Sequence, residues 1–254
     1  MKIVKTKGII IAEHNVGDFD KMLTILTPNL GKIECLAKGS RKPKSLLLAG
    51  SQLLCFGDYV LYKGSDNYSM NSCEIIELFY KLRIDLDKLK YAAYITKIIN
   101  DVTTENQNNY RILQLYLNTL YVFAQSDKDL ELITSIFRLR LMSIIGFRPQ
   151  IEECAVCKTK EKLEYFSIGE SGFKCNACAK QDGGAIEISQ TTKDAIRYII
   201  LAEAKKIYSF TVPKSTEKEL EIISKLYLTE CLEKEYKFWC IWGQVCFTWL
   251  KKIM

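Results

Sequence analysis

A single histidine, His14, in 254 residues leaves little room for histidine-based chemistry. A Ser-His-Asp or Cys-His arrangement would have to recruit it, yet it reads as part of a polar turn after the first strand-like run. No nucleophile sits in a recognisable elbow or helix-start motif. Phosphate-cradling loops are also missing: there is no G-x-x-x-x-G-K-[ST] and no G-x-G-x-x-G, and "QDGGAIE" at 181–187 reads as a turn. The expectation is a protein without catalytic activity. Apolar runs are short, none approaching the roughly 20 residues of a membrane-spanning helix. The amino terminus "MKIVKTKGIIIAEHN" lacks a signal peptide's apolar segment and small-residue cleavage site, so the expected location is the cytoplasm, with no membrane partner. Only four prolines, with 48% hydrophobic and 26% charged residues, exclude a disordered or fibrous chain.

What the chain does have is a basic excess and many cysteines. A formal charge of +6 and a pI near 8.7 favour a polyanionic partner without establishing one. Of ten cysteines, four fall in two closely spaced pairs; Cys35, Cys55, Cys73, Cys231, Cys240 and Cys246 are scattered among apolar or helical patterns and read as small core residues. This is the distribution of a reduced protein holding a metal, not of a disulfide framework.

From residue 1 to about 80 the pattern is strand-like. "KIVKTKGIIIAE", "KMLTILTP", "GKIECLAKG", "QLLCFGDYVLYKG" and "YSMNSCEIIELF" are rich in Ile, Val, Leu, Tyr and Thr and separated by turn residues. Five short strands suit a small closed barrel, because closure removes exposed sheet edges. An OB barrel is the economical choice and an SH3-like barrel the alternative. Past residue 82 the period changes: Leu89, Ala92, Ile95, Ile98, Ile99 and Val102 fall on one face of an amphipathic helix, with Asp85 and Asp87 at its start. "NYRILQLYLNTLYVFAQ" and "DLELITSIFRLRLMSIIG" repeat the pattern, the latter stopped by Gly146. Further helices are predicted from "SQTTKDAIRYIILAEAKK" and from Ser215 onward, where Thr216 and Glu219 stand at capping-box spacing. The carboxy-terminal "YKFWCIWGQVCFTWLKKIM", which holds all three tryptophans, reads as a packing helix. The fold class is α+β multidomain: an OB-fold β-barrel at 1–80, then an α-helical domain at 81–254 with a zinc-binding insertion at about 150–185.

That insertion carries the most specific motif. Cys154 and Cys157 are followed, after 17 residues, by Cys175 and Cys178. Each C-x-x-C forms a knuckle that directs two thiolates at one point, and the intervening segment can fold back as a hairpin. One tetrahedral Zn²⁺ is the expected occupant, and four thiolates leave no open position for a catalytic water. The zinc should therefore be structural, standing in for a core that so short a segment cannot build.

"KGSRKPKS" at 38–45 places Lys38, Arg41, Lys42 and Lys44 in one acid-free run after the third strand. Most short charge runs are hydrated turns. In an OB barrel, however, the loops around the sheet face form a groove where cations follow phosphates and aromatics stack on bases. Tyr59, Tyr62 and Tyr68 could serve that stacking or the barrel core. Arg138 and Arg140, two apart on one helix, point in different directions. An RNA-binding factor is the main alternative to a DNA-binding one, since an OB barrel with a zinc knuckle suits either.

Taken in order, "KGIIIAEHNVGDFDKMLTILTPNLGKIECLAKGSRKPKS", "YAAYITKIIND", "FRLRLMSIIGFRP", the two C-x-x-C pairs and "YLTECLEKEYKF" resemble the RecO family of bacterial DNA repair and recombination mediators. The resemblance spans residues 1 to about 240. It implies an OB-fold domain joined to a helical domain with a zinc knuckle, binding of single- and double-stranded DNA, and annealing of complementary strands. It also implies work with RecR to load RecA onto strands covered by single-strand-binding protein, with RecF and RecA as indirect partners, at the nucleoid. By position it supports Lys38, Arg41, Lys42 and Lys44 as DNA contacts and the four cysteines as metal ligands. Arg138 and Arg140 become candidates for holding the acidic tail of single-strand-binding protein, although Arg138 departs from the family, where an acid is common at that position.

Overall fold

Alternation of apolar and polar residues shapes the first part of the chain. In the computed structural model, which describes residues 2–65, 67–181 and 183–237, five strands occupy that part. They are β1 (Lys2–Val16), β2 (Asp20–Leu26), β3 (Lys32–Ala37), β4 (Phe56–Lys63) and β5 (Tyr68–Glu77). In β3 Ile33, Cys35 and Ala37 are buried while Glu34 faces solvent; in β4 Gly57, Tyr59 and Leu61 are buried while the residues between them are not. This is the period of two that places alternate side chains on opposite faces.

The strands run in the order β1-β2-β3-β5-β4 and close into a barrel. Closure depends on the length of β1, which serves two neighbours. Its first half pairs with β4, from Lys2↔Lys63 to Ile9↔Phe56, and its second half pairs with β2, from Ile9↔Leu26 to Val16↔Asp20. A register shift between Ile10 and Ala12 marks the bend between the halves, as bulges do at barrel corners. The seam is a short parallel contact of β3 with β5, at Cys35↔Tyr68 and Leu36↔Ser69. Ile10, Leu23, Ile25, Ile33, Leu61 and Met70 fill the interior. His14 lies within β1, opposite Met22, rather than in the turn that its polar neighbours suggested.

A glycine holds the β2–β3 connection against the chain that follows the second helix. Gly31 has φ +76°, and a Cβ there would lie 2.4 Å from the Thr104 carbonyl oxygen and 2.8 Å from the Asn106 nitrogen. Lys32 N–H donates to the Thr104 carbonyl at 3.0 Å, and Asn106 N–H to that of Leu30 at 3.0 Å. Gly31→Ala would therefore pair a left-handed backbone with a steric overlap on rigid backbone. A loss of at least about 2 kcal/mol is expected in urea unfolding.

After the barrel come α1 (Tyr80–Arg83), α2 (Leu86–Val102) and α3 (Tyr110–Gln125). Asp85 caps α2, its carboxylate accepting the N–H groups of Asp87 and Lys88. The chain divides into two compact units, Met1–Leu120 and Tyr121–Met254.

In the second unit α4 (Leu130–Ile144) is capped by Asp129 and ends on Gly146, at φ +109°, with Phe147 N–H returning to the Met142 carbonyl at 2.8 Å. β6 (Leu163–Ser167), β7 (Gly172–Cys175), α5 (Asn176–Ala179) and β8 (Ala185–Glu187) follow, the strands forming a small sheet in the order β7-β6-β8. α6 (Gln190–Leu201) and α7 (Lys214–Leu232) complete the unit. Phe166 of β6 meets Phe173 of β7 and Tyr227 of α7 edge-on, at 6.1 and 5.6 Å between ring centres.

Two helix ends differ from the reading of the sequence. α6 stops at Leu201, and the residues after it turn instead of continuing through Lys206. α7 begins at Lys214, so Thr216 lies buried inside its first turn and does not cap it. Glu219 caps a different helix. Its carboxylate accepts Ser189 N–H at 2.9 Å and Ser189 Oγ–H at 3.1 Å, where Ser189 is the N-cap of α6. The tryptophan-rich segment, with Cys240 and Cys246, lies outside the described residues. No helix among the described residues is long and apolar enough to cross a membrane.

Candidate nucleic-acid interface and metal centre

The residues between β3 and β4 form a succession of turns fastened at both ends. At the near end Gly39 N–H donates to the Asp20 carboxylate at 2.7 Å, Arg41 N–H to the Phe19 carbonyl at 2.9 Å, and the Arg41 guanidinium to the Gly17 carbonyl at 3.3 Å. The β1–β2 turn thus braces the basic loop, a contact between residues about 20 apart in sequence. At the far end Lys21, only 3% exposed, pairs with Glu13 at 2.9 Å and donates to the Ser51 carbonyl at 3.1 Å. The same Glu13 oxygen accepts Leu53 N–H at 3.1 Å, and Arg83 holds the Gln52 side chain and the Leu53 carbonyl.

A loop fixed in this way presents its cations in a defined place. Lys38, Lys42 and Lys44 are exposed and Arg41 is half-buried. Among the described residues no acid pairs with Lys38, Lys42 or Lys44. Lys42 Nζ lies 5.5 Å from the centre of the exposed Phe19 ring. Of the three tyrosines, Tyr59 is core: it is fully buried and donates its hydroxyl to the Cys55 carbonyl at 2.9 Å. Tyr62 and Tyr68 are half-buried, and Lys63 Nζ stands 5.9 Å from the Tyr68 ring centre. Phe19 was not singled out from the sequence. The one available hint was an aromatic set among turn residues in Gly17-Asp-Phe-Asp20.

The four paired cysteines converge. Cys154 and Cys157 sit on a turn before β6, Cys175 ends β7 and Cys178 lies in α5; their sulfurs all fall within 4.8 Å of one another. Cys157 Sγ and Cys175 Sγ are 3.6 Å apart, too far for a disulfide. Four sulfurs at 2.3 Å from a tetrahedral ion would be about 3.8 Å apart, so donor set and spacing fit one metal ion. Backbone hydrogen bonds make the knuckle: Cys154 N–H to the Thr159 carbonyl at 2.7 Å, Lys158 N–H to that of Cys154 at 3.1 Å, and Ala155 N–H to that of Phe173 at 2.8 Å. Although burial raises the Cys154 thiol, N–H groups of Cys175, Cys157 and Val156 directed at it bring it down to about 6. Hydrogen bonding with Cys157 and Cys175 pushes Cys178 up to about 12. A metal ion binds the thiolate form, so its arrival among the four sulfurs releases protons. Cys35, by contrast, is buried in the barrel and raised to about 12 by burial, as a core thiol is.

Arg138 and Arg140 are both engaged within the helical unit. Arg138 is 0% exposed and pairs with Glu131 at 2.6 Å. Arg140, half-buried, caps the end of α6 by donating to the carbonyls of Ile199, Ile200 and Ala202. A carboxylate reaching Arg138 would have to displace Glu131.

Residues 1–79 match the family described as Recombination protein O N terminal, and residues 83–239 the one described as Recombination protein O C terminal. DNA repair protein RecO of Acetivibrio thermocellus is 44% identical over 237 residues, covering 93% of this chain and 94% of that protein. That of Alkaliphilus metalliredigens is 34% identical over 233 residues, covering 91% and 95%. That of Bacillus cereus is 28% identical over 226 residues, covering 89% and 91%. The matched ranges hold the braced basic loop in one and the cysteine cluster in the other, and the chain belongs to the RecO family.

Proposed function

We propose that the chain is a non-enzymatic DNA repair and recombination mediator. It binds single- and double-stranded DNA, anneals complementary strands and, with RecR, helps load RecA onto strands covered by single-strand-binding protein. The observation that carries this reading is the basic loop: three exposed lysines without acidic partners among the described residues, beside a half-buried arginine, on a backbone braced at both ends. Cations carried on a braced backbone neutralise phosphate repulsion without the cost of ordering the loop at each encounter, and they leave base edges available to pair.

In this reading residues 1–80 are the DNA-binding domain, with Lys38, Arg41, Lys42 and Lys44 as phosphate contacts. Residues 81–254 are the helical domain, where Cys154, Cys157, Cys175 and Cys178 hold one structural Zn²⁺. Zinc bound by four thiolates has no open coordination position, so it supplies folding energy and no hydrolytic chemistry. The acidic tail of single-strand-binding protein is assigned to the surroundings of Arg138 and Arg140. Of the two Arg140 is the more exposed.

Replacing Arg41, Lys42 and Lys44 together by Ala is expected to weaken single-strand binding and to lower the slope of log affinity against log salt by up to about 2. Fluorescence anisotropy across a salt series checks it, and an unchanged slope would remove this loop from the interface. Annealing of complementary strands precoated with single-strand-binding protein tests the mediator role: acceleration by the chain is expected. Stronger binding to a matched RNA oligonucleotide than to DNA would favour the RNA-binding alternative.

A further inference from the structure

We propose that Phe19 is a stacking platform for one unpaired base, and that it gives the basic loop a preference for single strands over duplex. The inference rests on the nucleic-acid reading above and adds a contact of a different physical kind. Phe19 is 49% exposed in the turn it forms with Gly17 and Asp18, just before Asp20 opens β2. An exposed apolar side chain alone means little. Leu46, in the same loop, is 99% exposed and carries no assignment for that reason.

Phe19 differs because the structure places its ring among the cations. Its carbonyl accepts Arg41 N–H at 2.9 Å and the adjoining Asp20 carboxylate accepts Gly39 N–H at 2.7 Å, so turn and loop form one bonded unit. Lys42 Nζ stands 5.5 Å from the ring centre. A phosphate at Lys42 would put its own or the adjacent nucleotide within reach of the ring. Asp18, exposed beside Phe19, opposes phosphate, but Arg41, Lys42, Lys38 and Lys44 outnumber it, and Asp20 is occupied by Gly39. An unpaired base has a free π face to lay on the ring, whereas a base in duplex already stacks on its neighbours. The ring therefore adds to single-strand affinity only, and because stacking releases no counterions this part does not change with salt.

The test compares the wild-type chain with Phe19→Ala, Phe19→Leu and Phe19→Tyr, by anisotropy with oligo(dT) and with a hairpin duplex over a salt series. Phe19→Ala is expected to lose about five- to hundredfold in single-strand affinity at every salt concentration, with the salt slope unchanged and duplex affinity within twofold. Phe19→Tyr should retain wild-type affinity, and Phe19→Leu, apolar but without a π face, should fall short of it. Oligo(dT) carrying 5-iodouracil should photocrosslink to the peptide containing Phe19. Single-strand affinity of Phe19→Ala within twofold of wild type, or equal losses on both substrates, would overturn the proposal while leaving the basic loop in place. A reduced slope in Phe19→Ala would overturn it too, by making the ring a support for Lys42. A wild-type chain whose binding does not respond to salt would instead overturn the nucleic-acid reading, and the stacking proposal with it.

Discussion

Replacing Cys154 by Ser is expected to abolish metal binding and unfold the segment from about 150 to 187, the largest effect anticipated for any single substitution in this chain. Three strands of five, four and three residues cannot hold together on their own pairing. Their apolar contribution is small, chiefly Ile151, Leu163, Phe166 and Phe173. A structural zinc contributes on the order of 10 kcal/mol to folding in a small metal-dependent module, comparable with the whole net stability of a typical domain. Cys154 is the ligand whose loss should be felt most. It is fully buried, and its sulfur accepts Cys175 N–H at 3.5 Å, so it joins the two knuckles directly. The consequence should extend to α7, because Phe166 packs edge-on against Tyr227. Elemental analysis of wild-type protein purified without added zinc should find about one ion per chain, and that of Cys154→Ser should find none. Limited proteolysis should cut the variant within the segment, while Cys231→Ser, which removes a half-buried thiol outside the cluster, should retain the metal. A folded, metal-free wild-type protein would be the contrary result.

Arg138→Ala is expected to cost about 3–5 kcal/mol in urea unfolding, a large fraction of the stability of the helical unit. The guanidinium is fully buried and lies 2.6 Å from Glu131, with Ser224 Oγ at 3.4 Å. Removing it leaves a cavity and takes away the buried cation that Glu131 pairs with. Lys225, 3.8 Å away and 44% exposed, compensates only in part, because a solvated ammonium is a weak partner. Arg138→Met keeps much of the volume, and combined with Glu131→Gln it removes both charges. That double variant should recover most of the loss, since replacing a buried ion pair by neutral groups of similar size is often close to neutral. A cost below about 1 kcal/mol for Arg138→Ala would show that the pair is not needed for stability. Titration of the folded double variant with an acidic peptide ending in an apolar residue would then read any tail-binding role separately.

Much of the architecture was legible because it depends on near neighbours. Alternating burial in "KIECLA" and "FGDYVLYK" marks strands, and the spacing from Leu89 to Val102 marks one helix face. Asp85 reads as a helix start because its carboxylate satisfies N–H groups two and three residues ahead. The C-x-x-C spacing likewise prescribes a knuckle, since two thiolates so close together can be aimed at one ion only by a tight turn. Where local spacing had two uses it misled. Thr216 and Glu219 stand at capping-box distance, yet Glu219 is taken by Ser189, 30 residues away.

By itself, then, the sequence determined the barrel's strands, the principal helices and the four cysteines that converge, all set by periodicity or by fixed short spacing. The tertiary structure alone decided which charges face solvent. Arg138 and Lys44 are equally basic on paper; one is sealed against Glu131 and the other projects into water. Lys21, in a strand that reads as half-polar, turns inward because Glu13 and the Ser51 carbonyl meet it there. Phe19 meets residues 39–42 because β2 and β3 pair antiparallel with Lys21 opposite Ala37, which sets the β1–β2 turn beside the chain leaving β3. Burying a charge or placing an aromatic requires partners from distant segments, and no local pattern records which distant segments will meet.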